Sequence, residues 1–436
     1  MTVLKNPRIF HLFSVTLIIL SIAIVYSNAV GSSFHFDDFR QIVSNDYIKG
    51  PDAYSKVLGN EMRWVTMLTF AFEWKNWGMD AKGYHMGNIL IHMLASVLAY
   101  SFLVLTARLL KKNEKNDPFW TRRFPLFSAL LFALHPIQTQ SVTYIIQRME
   151  SLSALFYLLA LIFFIKAATS GSTIKKWLWY GAVCLGFVLS FYSKETAITL
   201  PVVVLLYDIY FIGGSIRTLW GRWPLYTVLS TLLVYFTITT VMPIGGFGEL
   251  VSRLTSPQEA FAEEPDVMRF KEPSAGFGIK AISPKDYLYT EFNVIVYYIT
   301  LLIIPANQNL DYDFPISKRF FDMPYVMEGN ILNIPIPPPA ISLAIILCIM
   351  ATAAYLYIKA KRQDKKRDPL VSSFFIFWFF ILLAPTSSFI PIADVIFEHR
   401  VYLASLGFFA VFVIAIENVI ARALKARGKK TKTSQY

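Results

Sequence analysis

Repeated long apolar runs constrain this chain more than any other feature. About 20 consecutive apolar residues bury their backbone in lipid only as a helix, because the bilayer offers no water to satisfy loose N–H and C=O groups. The first run is Phe10 to Val30, and others recur as far as about residue 420. Of the 436 residues, 55% are hydrophobic and only 16% charged, with a mean hydropathy of +0.48. A soluble domain carries about 25% charged residues. The sequence therefore predicts an all-α integral membrane protein. The net charge of +12 does not point to nucleic acid, because the basic residues gather in short loops beside apolar runs and not along a groove-tracking stripe. Cys184 and Cys348 both lie in apolar segments, which excludes a disulfide framework or a cysteine metal knuckle.

In chain order, spans are expected at about 10–30, 86–108, 124–136, 151–168, 177–193, 197–212, 225–243, 340–358, 370–385 and 401–420. The first follows Lys5 and Arg8 and is too long for a cleaved signal, so it reads as a retained signal anchor. Residues 31–85 are too polar to span, and Trp64, Trp74 and Trp77 suit interfacial helices in a first outer loop. The apolar segment 288–304 is short, and it lies in an outer region, 244–339, rich in Gly and Pro.

Basic residues set the orientation. With the N-terminus cytoplasmic, Lys111, Lys112 and Lys115 fall inside, as do Lys175 and Lys176, and Arg217 and Arg222. The loop from Lys359 to Arg367 and the basic tail at 421–436 join them only if 288–304 makes no net crossing. The expectation is one domain over 1–436, with ten crossings plus one re-entrant or interfacial element, eleven at most. The outer face would then hold Asp37 and Asp38, the stretch from His135 to Glu150, Lys194-Glu195, the 244–339 region, and Pro385 to Arg400.

Polar clusters sit at the ends of these spans. Phe34-His35-Phe36-Asp37-Asp38-Phe39-Arg40 places two carboxylates where the first span emerges. A sugar-accepting hydroxyl has a pKa far above neutrality, so a positioned carboxylate base would help it attack an anomeric carbon. The pair would also serve as two ligands of a divalent metal, or as a plain hydrophilic helix end. His135 leads a second cluster that ends at Arg148 and Glu150, and arginine grips phosphate through paired donors. Ser193-Lys194-Glu195-Thr196 wedges an ionisable pair between two spans, a costly placement unless it is used. Asp311-Tyr312-Asp313 reads as a sugar-lining segment or a polar turn. Pro385-Thr386-Ser387-Ser388 is followed by Glu398-His399-Arg400-Val401-Tyr402, where Arg400 would meet a lipid phosphate.

Taken as an ordered set, these motifs resemble the TMTC family of transmembrane O-mannosyltransferases and its bacterial relatives, within the GT-C class. The set runs from Phe36-Asp37-Asp38 through Tyr84-His85-Met86-Gly87-Asn88 with His92, His135-Pro136 with Arg148, Lys194-Glu195-Thr196 and Leu310-Asp311-Tyr312 to Glu398-His399-Arg400-Val401-Tyr402. The resemblance implies a GT-C helical bundle and a polyprenyl- or dolichyl-phosphate sugar donor, most naturally mannose. It also implies inversion at the anomeric carbon and a protein or glycan acceptor on the outer face. It makes Asp37 the base and Asp38 its partner. Arg148, Lys194 and Arg400 become candidates for the donor phosphate, with His135, Glu195, Glu398, His399, Tyr402, Asp311 and Arg63 around the substrates. Trp64 stands where the family pattern has Pro after Arg63. A monophosphate donor needs no obligatory cation, although a divalent metal would fit a carboxylate pair. The expected setting is a bacterial inner membrane with the site facing the periplasm, because the chain stops at Tyr436 without the tetratricopeptide repeats of eukaryotic members. Two rival functions remain: transfer of a whole lipid-linked glycan, and transport or flipping of lipid-linked sugars.

Overall fold

The structure, a computed structural model, describes residues 6–110, 117–214, 216–241, 275–276, 279, 281–322, 335–363 and 367–433. Lys111, Lys112, Lys115, most of the first part of the 244–339 region and the middle of the 359–367 loop lie outside the described residues. The described chain is helical, and among these residues the only β pairing is one bridge between Ala275 and Ile392.

Helices follow the apolar runs. They are α1 (Pro7–Val25), α4 (Ala81–Leu109), α5 (Phe124–Leu134), α7 (Arg148–Ala168), α8 (Thr173–Phe191), α9 (Leu200–Tyr207), α10 (Trp223–Phe236), α12 (Pro339–Arg362), α13 (Arg367–Leu383) and α14 (Ser405–Thr433). Short turns at 195–199 and 208–212 extend α9 at both ends. Among the described residues, seven helical stretches, Pro7–Val25, Ala81–Leu109, Ile145–Ala168, Thr173–Phe191, Glu195–Ile212, Pro339–Arg362 and Ser405–Ala426, are long and apolar enough to cross a membrane. The chain is an all-α, multi-pass membrane bundle. The shorter α5, α10 and α13 fall where the remaining spans are expected.

Between α1 and α4 lie α2 (Ala53–Asn60) and α3 (Trp64–Trp77), the latter carrying all three tryptophans of this stretch, and a short α6 (Thr139–Thr143) precedes α7. Asn6 and Asp80 cap α1 and α4, their side chains accepting from the N–H groups of Arg8 and Lys82. The segment expected at 288–304 is a full helix, α11 (Pro284–Ile303), capped by Ser283. At about 30 Å it is long enough to span, but it carries a polar side with Thr290, Glu291 and Asn293, all buried.

Lipid tails are as apolar as leucine, so helix association here depends on close approach and polar links. The α7–α8 contact shows both. Ser153 Oγ donates to Ser190 O at 3.0 Å and Ser190 Oγ to Ser153 O at 2.8 Å. One turn away, a Cβ on Gly186 would lie only 2.9 Å from that of Ala160. Aromatic rings fill the centre of the bundle, with Phe102 of α4 stacked on Trp378 of α13 at 5.8 Å and Tyr207 of α9 edge-on to Phe374 at 5.6 Å.

Candidate active site

The Asp-Asp turn divides its two carboxylates between different tasks. Asp38 is 1% exposed; its Oδ2 accepts from His35 N at 3.0 Å and its Oδ1 from Ile146 N at 2.8 Å. Burial pushes its pKa up to about 6, against the pull of the two N–H bonds. Asp38 therefore pins the turn to the segment that opens α7. Asp37 N donates to Tyr144 Oη at 2.9 Å, and the Asp37 residue is exposed. Phe36 adopts φ 45°, a left-handed conformation rare for a bulky residue, which lets the chain fold back so that Asp38 points inward and Asp37 faces out. Asp37 and Asp394 share one field around the buried Tyr144, and Asp311 acts on Asp394 as well.

Arg148 is fully buried at the start of α7. Its Nε donates to Asn88 Oδ1 at 2.6 Å, Nη1 to Thr69 Oγ1 at 3.1 Å and Nη2 to Tyr84 O at 2.7 Å, and Nη1 lies 2.7 Å from Glu73 Oε2. The guanidinium also covers the Phe70 ring at 4.5 Å. It locks α3, α4 and α7 together. This corrects its expected place on a donor phosphate, because its donors are engaged inside the protein. Gly87 has a reason in the same contact: a Cβ there would fall on Glu73 Oε1 and come within 2.8 Å of Arg148 Nη2. Asn88 also donates to Val142 O at 3.1 Å and Ile145 O at 3.2 Å.

Several other predicted site residues hold the scaffold in the same way. His92 bonds Tyr402 Oη at 2.7 Å and Ala133 O at 2.9 Å, so Tyr402, expected near substrate, is fully buried against α4. His399 N donates to Gln140 Oε1 at 2.7 Å, and Gln140 Nε2 donates to Leu310 O at 3.0 Å. Glu398 accepts from Gln308 Nε2 at 2.6 Å, Asn309 N at 3.1 Å and Tyr312 Oη at 2.5 Å. These bonds fasten the Leu310-Asp311-Tyr312 motif to the Glu398-His399-Arg400 motif, with Asp311 left exposed. His135 caps the following turn by accepting from Ile137 N at 3.2 Å.

The remaining cations converge. Lys194 Nζ lies 2.6 Å from Glu150 Oε2, both nearly buried, and Arg63 Nε donates to Glu195 Oε2 at 2.8 Å while its Nη2 pairs with Oε1. Burial pulls the Lys194 ammonium down from its ordinary value, Glu150 opposing. Arg400 is mostly buried and, among the described residues, its side chain donates to backbone alone, to Val395 O at 2.9 Å and Asp394 O at 2.5 Å. Lys194, Arg400 and Arg63 all act on buried His399, whose pKa falls well below its ordinary value, first through burial and then through these cations. Between Glu150, Thr196 and Arg400 lies a cavity of about 20 Å³, also lined by Tyr157 and Leu403.

Sequence reading missed Glu73 and Glu291. Glu73 lies on an aromatic-rich helix with no motif around it. Glu291 lies on α11, 1% exposed, and among the described residues its two oxygens meet no full hydrogen-bond geometry although Tyr287 and Ser387 sit beside it. No group of three His, Cys, Asp or Glu side chains among the described residues is arranged to hold a metal ion.

Comparison with known proteins points one way. The protein O-mannosyl-transferase tmtc2 of Xenopus laevis is 30% identical over 205 residues, 43% of this chain and 23% of that protein. TMTC2 of Homo sapiens is 28% identical over 235 residues, 49% of this chain and 26% of that protein. The chain is similar to TMTC protein O-mannosyl-transferases. The Caenorhabditis elegans protein O-mannosyl-transferase F38B6.6 matches over a longer stretch, 27% identical across 68% of this chain and 39% of that protein. The match thus spans about a quarter of the frog and human relatives' length. No family model matches the chain. No solved structure matches it. The relatives agree with the family resemblance carried by the motifs.

Proposed function

We propose that the chain transfers mannose from a polyprenyl-phosphate-linked donor to a hydroxyl acceptor, protein or glycan, on the non-cytoplasmic face of a membrane. Asp37 takes the proton of the acceptor hydroxyl. The acceptor oxygen forms a new bond to the anomeric carbon as the bond from that carbon to the phosphate oxygen breaks. The electron pair leaves with the lipid phosphate, and the sugar inverts. Charge develops on the departing phosphate, where preorganised cations lower the barrier most. Lys194 and Arg400 supply these cations, and Arg63, held by Glu195, and Arg148 keep the frame.

One observation carries this reading: of the Asp pair, Asp38 is tied to two backbone N–H groups, while Asp37 stands exposed and within the electrostatic reach of Asp394, whose carbonyl accepts from Arg400. A base and a phosphate-binding cation are thereby joined through one loop. The names of the relatives supply the sugar and the protein acceptor.

The test compares purified wild type with Asp37→Asn in nanodiscs, given polyprenyl-phosphate-mannose and Ser/Thr peptides, with a parallel arm in EDTA. Mass spectrometry follows mannosylated peptide and free polyprenyl phosphate. Turnover that survives EDTA and disappears in the variant supports the reading. Turnover abolished by EDTA assigns the carboxylates to a metal instead. Full turnover in the variant removes Asp37 from the chemistry.

A further inference from the structure

α11 runs alongside the 384–400 loop for much of its length. Tyr287 Oη donates to Thr386 O at 2.6 Å, and three turns further Tyr298 Oη donates to Phe397 O at 2.8 Å and accepts from Phe397 N at 3.0 Å. Glu291 lies between these two anchors, one turn beyond Tyr287. It acts on Arg400, the basic end of the same loop, yet no ion pair closes between them. Among the described residues, neither carboxylate oxygen meets full hydrogen-bond geometry, and neither does Ser387 Oγ, although Ser387 and Tyr287 lie beside the carboxylate.

A fully buried carboxylate with open acceptor oxygens is expensive unless a nearby cation offsets it. Arg400 has the converse problem, a buried guanidinium bonded only to two backbone carbonyls. Each offsets the other at a distance. Arg400 also lines the cavity shared with Glu150 and Thr196.

We propose that Glu291 is a positioning residue that tempers the hold of Arg400 on the lipid phosphate, so that the product leaves after sugar transfer. This rests on the assignment of Arg400 to the donor phosphate. With Glu291 ionised, an incoming phosphate meets a guanidinium already partly neutralised; without it, the same anion meets a cation offset by Asp394 and no longer by Glu291. The carboxylate touches neither the sugar nor the acceptor.

The experiment measures binding of polyprenyl phosphate alone, and then steady-state kinetics with the mannosylated donor, for wild type, Glu291→Gln and Glu291→Asp in nanodiscs. In Glu291→Gln we expect binding of polyprenyl phosphate to tighten on the order of tenfold, with KM for the donor and kcat falling together as release slows. Glu291→Asp retains the charge and should restore most of kcat. A weaker or unchanged affinity in the Gln variant, with kcat falling alone or KM rising, overturns the proposal and makes Glu291 part of the packing. Wild type that binds no polyprenyl phosphate at all overturns the underlying assignment, a result distinct from unaltered binding in the variant.

Discussion

Asp38 Oδ1 accepts the backbone N–H of Ile146 at 2.8 Å, joining residues 108 positions apart in the chain. Replacing Asp38 with Asn keeps one acceptor but turns an amide NH2 toward the N–H of His35 or Ile146. A buried donor facing a donor costs about 1–3 kcal/mol, so Asp38→Asn should lower the thermal midpoint and reduce turnover together. A variant with wild-type stability would deny Asp38 its clamping role.

The same carboxylate gives a pH signature. Its pKa in the folded protein is raised to about 6, against about 3.9 in an unfolded chain. Between these values the folded form binds more protons than the unfolded form, so the contribution of Asp38 to stability falls as pH rises from about 4 to about 6. Thermal melts of wild type across that window should show this loss, and Asp38→Asn should lack it. Parallel curves for the two proteins would contradict the assignment.

Asp37 should behave in the opposite way. Its side chain is exposed, so Asp37→Asn should leave the melting temperature within experimental error while turnover falls by about 10²–10⁴, the usual range for a lost general base. A large loss of stability would instead make Asp37 structural.

Arg148 and Gly87 should fail through stability. Arg148→Met leaves Glu73 buried without its partner, at about 3–5 kcal/mol. Gly87→Ala forces that pair apart, at about 1–3 kcal/mol. Both should show as a lower thermal midpoint in detergent, and any surviving folded fraction of Gly87→Ala should bind polyprenyl phosphate as wild type does. A Gly87→Ala protein of normal stability would mean that the Glu73–Arg148 contact is loose.

Lys194 should act on the departing phosphate. Lys194→Met removes a cation and strands Glu150, so Glu150→Gln/Lys194→Met is the better probe. The double variant should fold and lose about 10²–10³ in kcat, the scale of one lost electrostatic contact to developing charge. Unchanged kcat would confine the pair to structure.

Helix positions were legible because apolar length is local: every expected span has its helix, displaced by a few residues where polar residues continue the turn. α4 starts at Ala81 because Asp80 caps it, five residues before the apolar run begins. Asp37, Lys194 and Arg400 stood out because charge beside an apolar run is conspicuous. Arg148 looked like a phosphate ligand for the same reason, and nothing near it in sequence names Glu73, Thr69 or Asn88 as partners. Glu291 was hidden by the apolar residues around it on α11. What separates Asp37 from Asp38 is the φ of Phe36 and an N–H from Ile146, neither of which one-dimensional spacing encodes.

The cavity among Glu150, Thr196 and Arg400, about 20 Å³, has room for little more than a single water. Proton hopping along a water file therefore finds no wire between these buried charges. Whatever enters this cavity must displace that water or push apart the side chains that line it.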